Sequence, residues 1–226
     1  MTDWLTQYID FVMQRLPDIL NATVEHVYIS LVSVLLGCLV AIPFGIYLAT
    51  TNRKWVQSLS FGIANIFQTI PSLALLALMI PLLGIGLRPT ITALFLYSLL
   101  PILRNTFAGI KSVDPDVIES AKGMGFNRWQ RLWQIQLPLA FPYMMSGIRV
   151  TTVYIISWTT LASLIGAGGL GLLIFSGMGV NNRNLIITGA LVAITLALLS
   201  DFILGRIEKR VGAKSKATKP EVTTDN

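Results

Sequence analysis

Residues 27–50 read VYISLVSVLLGCLVAIPFGIYLAT, a run without a single Asp, Glu, Lys or Arg. Such a run suits a hydrocarbon core of about 30 Å, which about 20 helical residues cross. Comparable runs recur at 56–83, 90–107, 138–161 and 185–204. The chain is therefore expected to be an all-α integral membrane protein with five transmembrane helices. Runs this long favour helices over a barrel, whose strands need only about 9–11 residues each. The composition agrees: 54% of residues are hydrophobic, 12% are charged and the mean hydropathy is +0.68, outside the usual globular mixture. The second run carries Pro71 and Pro81, each of which removes a backbone donor, so a kinked or broken helix is expected there.

The first run starts too far along the chain for a signal peptide, and Asp3 and Asp10 stand where a basic segment would precede one, so the start is expected to be retained. A single cysteine, Cys38, allows neither a disulfide framework nor a Cys-based zinc site and reads as a small packing residue.

Basic residues orient the spans. Arg53 and Lys54 lie in the first loop, Arg104, Lys111, Lys122, Arg128 and Arg131 in or beside the third, and Arg206, Lys209, Arg210, Lys214, Lys216 and Lys219 after the last span. The other side holds only Arg15, Arg88 and Arg183. Loops rich in Lys and Arg stay cytoplasmic, so the N-terminus is expected outside and the C-terminus inside. Membrane orientation accounts for the net charge of +6 without nucleic acid.

The chain divides into an external amphipathic helix within 1–26, a transmembrane region 27–204 with a cytoplasmic loop 108–137, and a mobile basic tail 205–226. The first segment places Leu5, Tyr8, Ile9, Val12, Leu16 and Ile19 at helical spacing; it suits either the outer lipid surface or a protein partner. His26, at the edge of the first span, reads as interfacial rather than as a metal ligand. The tail GAKSKATKPEVTTDN has little to bury, and its bases suit anionic headgroups.

Between the third and fourth spans lies a polar island, ESAKGMGFNRWQRLWQIQLP at 119–138. Asp114 suits an N-cap, Pro115 the first helical position, and Asp116 and Glu119 the positive end of the dipole. Gly123 or Gly125 can supply the left-handed residue that ends this helix. Asn127 can then cap a second helix over RWQRLWQIQL, and Pro138 begins the fourth span. Trp129 and Trp133 equally suit anchoring at headgroup level.

Glu119, Ser120, Ala121 and Gly125, followed by Ile135, Leu137 and Pro138, resemble the cytoplasmic EAA loop of binding-protein-dependent ABC-importer permeases of type I. That resemblance implies a coupling helix seated in a cleft of an ATPase, with the glycine permitting the turn. Serine at the second position departs from the pattern by one small residue for another. No G-x-x-x-x-G-K-[ST] occurs in the chain, so it is expected to be non-catalytic, binding no cofactor, with ATP and Mg used by a separate ATPase. The segments FQTIPSLALLALMIPLLGIG at 67–86, LYSLLPILRNTFAGI at 96–110 and LIGAGGLGLLIFSGM at 164–178 resemble the permeases that import glycine betaine, carnitine and choline. Methionine permeases share the five-span plan and a related glycine cluster. The resemblance implies two ATPase subunits, a second permease that is identical or paralogous, an extracytoplasmic solute-binding protein, and a bacterial or archaeal cell membrane.

Gly166, Gly168, Gly169 and Gly171 let backbones approach or bend, which suits an external gate, a dimer contact or a re-entrant turn. Tyr154 and Trp158 share one helical face with Thr151 and Thr159, and aromatic faces attract quaternary ammonium groups. These residues, with Gln68 and Thr69 ahead of the Pro71 bend, are candidates to line the pathway; packing is the alternative for the aromatic pair. Arg149 in the fourth span is expected to face protein or to snorkel inward. An ion-coupled carrier would keep acidic residues inside its spans, whereas those here sit outside or at the edges, as Asp201 does. A membrane anchor without transport is a third reading, disfavoured by the internal polar groups.

Overall fold

Hydrocarbon offers backbone N–H and C=O groups no partner, so each apolar run must satisfy its own and becomes a helix. The computed structural model describes residues 2–216 and holds ten α-helices among them. They are α1 (Thr2–Gln14), α2 (Leu16–Thr50), α3 (Lys54–Thr69), α4 (Ser72–Leu83), α5 (Leu87–Lys111), α6 (Pro115–Gly123), α7 (Arg128–Arg131), α8 (Leu137–Ala162), α9 (Leu170–Gly179) and α10 (Arg183–Lys216). Helices α2, α5, the continuous stretch Arg128–Ile165 and α10 are each long and apolar enough to cross a membrane. Helices α3 and α4 are long and apolar enough only as a pair, bent by 99° at the break between them, the shape of a broken span or of a re-entrant loop. The break falls where the residue before a proline is pushed to extended backbone: Ile70 has ψ 129° and Pro71 has ψ 140°.

Two boundaries differ from expectation. Helix α2 begins at Leu16, with Pro17 in its first turn, so it extends well ahead of the apolar run. Helix α10 continues to Lys216, through the first half of the segment read as a tail, and 217–226 lie outside the described residues. Helix α1 packs Phe11 and Val12 against Ile19, Leu170 and Leu185, and the Tyr8 hydroxyl lies 3.0 Å from Thr188 Oγ1. Its other face leaves Trp4, Leu5, Ile9 and Met13 exposed. Cys38 is half-buried and packs between two apolar clusters.

The centre is built from α2, α5 and α8. On α2, Ser33, Gly37, Ala41, Gly45 and Ala49 recur every fourth residue and are all buried. This small-residue face lies on α5: a Cβ at Gly37 would come within 2.0 Å of Ser98 Oγ, and one at Gly45 within 2.8 Å of Thr106 Cβ. Helices α2 and α5 run parallel, as the pairs 37 with 98 and 45 with 106 require. Helix α8 returns antiparallel to α5, with Gly147 against Asn105 and Gly109 against Ala140 and Tyr143.

Helix α10 runs antiparallel along α8, with Gly205 facing Arg149 and Gly212 facing Pro142. Arg149 faces protein. Its Nε and Nη2 donate to the two carboxylate oxygens of Asp201 at 2.7 Å each, and Nη1 donates to Glu208 at 3.1 Å. A planar guanidinium fits a carboxylate through two parallel bonds, and Gly205 leaves room for it, since a Cβ there would lie 2.9 Å from Arg149 Cζ.

Substituting Gly37→Ala is expected to force α2 and α5 apart, at a cost of about 1–3 kcal/mol typical of overpacking. Gly62→Ala, where a Cβ meets nothing within 4 Å, serves as the control. Thermal unfolding of the detergent-solubilised chain should show a lowered midpoint for the first and no lowering for the second.

Candidate functional site

The polar island folds as a helical hairpin in which both ends of α6 and the start of α7 are closed by its own residues. Asp114 caps α6, its Oδ1 accepting from Asp116 N at 2.9 Å. At the other end Gly125 N donates to Lys122 O at 2.9 Å and Phe126 N to Ala121 O at 3.0 Å, the paired bonds of a Schellman stop. That stop needs a left-handed residue, and Gly125, with φ +84°, is it, while Gly123 stays helical. Asn127 and Gln130 then form a reciprocal capping box at the start of α7, with bonds of 2.8 and 2.9 Å.

The second helix of the hairpin does not stop. A π-turn over Leu132–Gln136 carries it into α8, with Leu137 N donating to Leu132 O. Pro138 has no N–H for the carbonyl one turn back, and a widened turn accommodates that loss. Ile135 and Leu137 are half-buried there, while Pro138 is exposed. On α6, Ala121 is buried but Glu119 and Ser120 are exposed, and a groove of about 350 Å³ beside them includes Ala49, Ile110, Glu119, Lys122 and Gln136. Val117, Met124, Trp129 and Trp133 are exposed apolar groups on the same hairpin.

A second constellation surrounds the break between α3 and α4. Pro101 in α5 cannot donate to the carbonyl of Tyr97, four residues back. Gln68 from α3 takes its place, with Nε2 donating to Tyr97 O at 2.6 Å. The Tyr97 hydroxyl donates to Ile70 O at 2.5 Å, and that carbonyl sits at the broken turn itself. One residue thus ties the bent span to α5 through both its backbone and its side chain. The Tyr97 ring packs on Trp158 with centroids 4.6 Å apart, and Trp158 stacks on Tyr154 at 5.9 Å. Pro71 and Thr69 lie exposed at the break. Tyr97 escapes a reading based on apolar periodicity, but Pro101 is the signal that its carbonyl needs an outside donor.

Thr159 belongs elsewhere. It is fully buried, donates to Ile155 O at 2.7 Å and faces Ser30 of α2 at 3.4 Å. Helical geometry puts it a quarter-turn from Trp158, so the structure separates it from the aromatic pair. Thr151 is likewise buried and bonded to Gly147 O. Gln68, half-buried, meets a backbone need.

The third constellation is the glycine loop between α8 and α9. Gly166, Gly168 and Gly169 all have φ between 76° and 81°, backbone that glycine adopts at little cost. Helix α2 reaches over to bind the loop: Glu25 Oε2 accepts from Gly169 N at 2.9 Å, and His26 Nδ1 accepts from Leu170 N at 3.3 Å. With Nδ1 accepting, Nε2 carries the ring proton and donates to Ile156 O at 2.9 Å. His26 therefore joins α2, α8 and the start of α9, and it is fully buried rather than interfacial. A Cβ at Gly168 would meet Glu25, and one at Gly171 would lie 1.8 Å from Thr160 O, so these glycines answer contacts within the chain. Gly86 N also donates to Ile165 O at 2.9 Å, which brings the α4–α5 connection to the same loop.

The hairpin and the glycine loop lie at opposite ends of α8, whose 26 residues span about 39 Å at 1.5 Å per residue. The Tyr97 constellation sits between them.

Residues 41–213 match the model of the family described as binding-protein-dependent transport system inner membrane component. The chain is 45% identical to the glycine betaine/carnitine/choline transport system permease protein OpuCB of Bacillus subtilis (strain 168), over 97% of this chain and 100% of that one. It is 46% identical to the choline transport system permease protein OpuBB of the same organism, over 90% and 93%. It is 45% identical to the carnitine transport permease protein OpuCB of Listeria monocytogenes, over 92% and 94%. Among solved structures, an inward-facing MetNI methionine ABC transporter matches with a TM-score of 0.78 at 26% identity, covering 85% of this chain and 95% of that one.

Replacing His26 by Leu is expected to orphan the Leu170 N–H and loosen the glycine loop, costing on the order of 1–3 kcal/mol for an unpaired buried donor. Hydrogen exchange should show faster exchange at Gly169 and Leu170, with the α6 hairpin unchanged as the internal reference.

Proposed function

The chain belongs to the family of binding-protein-dependent transport system inner membrane components, and on that premise we propose that it is the permease subunit of an ATP-driven importer of quaternary-ammonium compatible solutes such as glycine betaine, carnitine and choline. The observation that carries this reading is the 45% identity maintained over essentially the whole length of a glycine betaine/carnitine/choline permease. The methionine transporter that shares the fold is only 26% identical, which makes methionine the weaker substrate reading.

In this reading two five-span permeases, identical or paralogous, enclose the pathway in the cell membrane. The basic hairpin end faces the cytoplasm and the glycine-loop end faces outward, as the distribution of Lys and Arg supports. Two ATPase subunits use ATP and Mg, and each receives one α6 helix; an extracytoplasmic binding protein delivers solute at the glycine loop. The exposed Glu119 and Ser120, with the sharp stop at Gly125, suit a rigid peg seated in another protein. Because α6 and α7 lead through the π-turn directly into α8, movement of the peg would be transmitted to the helix that carries Tyr154 and Trp158. Their ring faces offer an ammonium group a weak transient site, worth about 0.5–2 kcal/mol. Gly166, Gly168, Gly169 and Gly171 would form the external gate, held by Glu25 and His26, or contact the second permease.

Two measurements test this. Membrane vesicles carrying the chain with its cognate ATPase and binding protein should accumulate labelled glycine betaine, carnitine or choline in an ATP-dependent way; accumulation of methionine instead would transfer the assignment. Gly125→Val, which places a β-branched residue at φ +84° at a cost of about 1–2 kcal/mol, should abolish copurification of the ATPase and cut uptake at least tenfold. Unimpaired pumping by that variant would remove the hairpin from the coupling role.

A further inference from the structure

A groove of about 810 Å³ lies against α8 and α10, close to the Arg149 ion cluster and unused by any step above. Its lining changes character along α10: Leu198, Leu199 and Phe202 are apolar, and Arg206 and Lys209 follow. Leu198 and Arg206 are eight residues apart, about 12 Å along a helix. An apolar stretch leading within two turns to paired cations has the polarity profile of a phospholipid at a membrane interface.

The charges at the groove have different standing. Arg149 is satisfied by Asp201 and Glu208. Arg206 lies over the Phe202 ring at 4.3 Å, and neither it nor Lys209 pairs with a carboxylate among the described residues. Three cations thus meet two carboxylates, and the positive surplus sits on exposed side chains. Helix α10 is also sparsely covered by the rest of the chain, with 11% of its most apolar stretch buried, so the groove opens where lipid can reach it.

We propose that this groove is a binding site for an anionic phospholipid, its phosphate held by Arg206 and Lys209 and an acyl chain lying along Leu198, Leu199 and Phe202. Attraction of anionic headgroups to basic residues at a span end is worth about 1 kcal/mol per cation. Two cations correspond to a preference of about tenfold or more over a zwitterionic lipid. The site depends on no assignment of transported solute.

The test uses the full-length chain, with whatever subunits copurify, in a mild detergent. Dioleoyl phosphatidylglycerol and dioleoyl phosphatidylcholine are titrated and bound lipid is counted by native mass spectrometry. The expected result is a preference for phosphatidylglycerol of about tenfold or more, lost in the Arg206→Gln/Lys209→Gln double variant and retained in Arg206→Lys. Leu198→Trp, which keeps both cations but fills the apolar lining, should weaken the long-chain lipid. An Arg53→Gln/Lys54→Gln variant, which removes exposed bases of another loop, should keep the preference. Equal losses in the two double variants would reduce the effect to diffuse surface charge and overturn the site. So would a preference that survives the Arg206/Lys209 change, or glycerol phosphate binding as tightly as the lipid. Unchanged melting temperatures in the glutamine variants exclude unfolding as the cause of a loss.

Discussion

Lipid tails are as apolar as leucine, so helices in a bilayer gain little by hiding leucines from it; what draws them together is close packing and polar contact between them. In this chain that constraint is met by the line Ser33, Gly37, Ala41, Gly45 and Ala49 on α2, pressed onto α5. The close approach brings Ser98 and Thr106 into the space that side chains would otherwise fill. The rest of the bundle is arranged around that contact. Helix α8 lies against α5 through Gly147 and Gly109, and α10 lies along α8 through Gly205. Leucines such as Leu31, Leu35 and Leu39 of α2 stay exposed, as a lipid-facing surface requires.

The same solvent makes every broken backbone bond a structural event, because no water replaces the lost partner. Pro71 breaks a span, Pro101 strips the Tyr97 carbonyl of its donor, and Pro138 widens a turn. Each loss is met locally or by a neighbour: Tyr97 reaches the carbonyl at the break, Gln68 reaches the carbonyl of Tyr97, and the π-turn carries α7 into α8. The consequence is that the bent helix pair, the aromatic pair on α8 and the central helix α5 all meet at Tyr97. The same logic at the far end has Glu25 and His26 covering the first amides of α9.

Much of this was readable in advance because it is local. Four apolar runs become long apolar helices and one becomes a bent helix pair, Pro71 marks the break, and Asp114, Gly125 and Asn127 cap the hairpin, since propensity and capping depend on neighbours a few residues away. The hidden part has partners 29 to 144 residues distant. The bond of Gln68 to Tyr97, and the approach of Ser30 of α2 to Thr159, cannot be read from the segments that hold them. His26 reads as interfacial until α8 and α9 enclose it.

The sequence by itself determined the apolar runs, the place of the break, the caps of the hairpin and membership of a permease family, because hydrophobic length, proline and cap residues act within one segment. Only the tertiary structure decided which polar groups inside those spans are already engaged. Arg149 is matched by Asp201 and Glu208 of α10, Tyr97 is tied to the bent span and Glu25 to the glycine loop. The physical reason is that in a low-dielectric bundle a polar side chain is defined by the partner it meets, and that partner is chosen by how the helices pack.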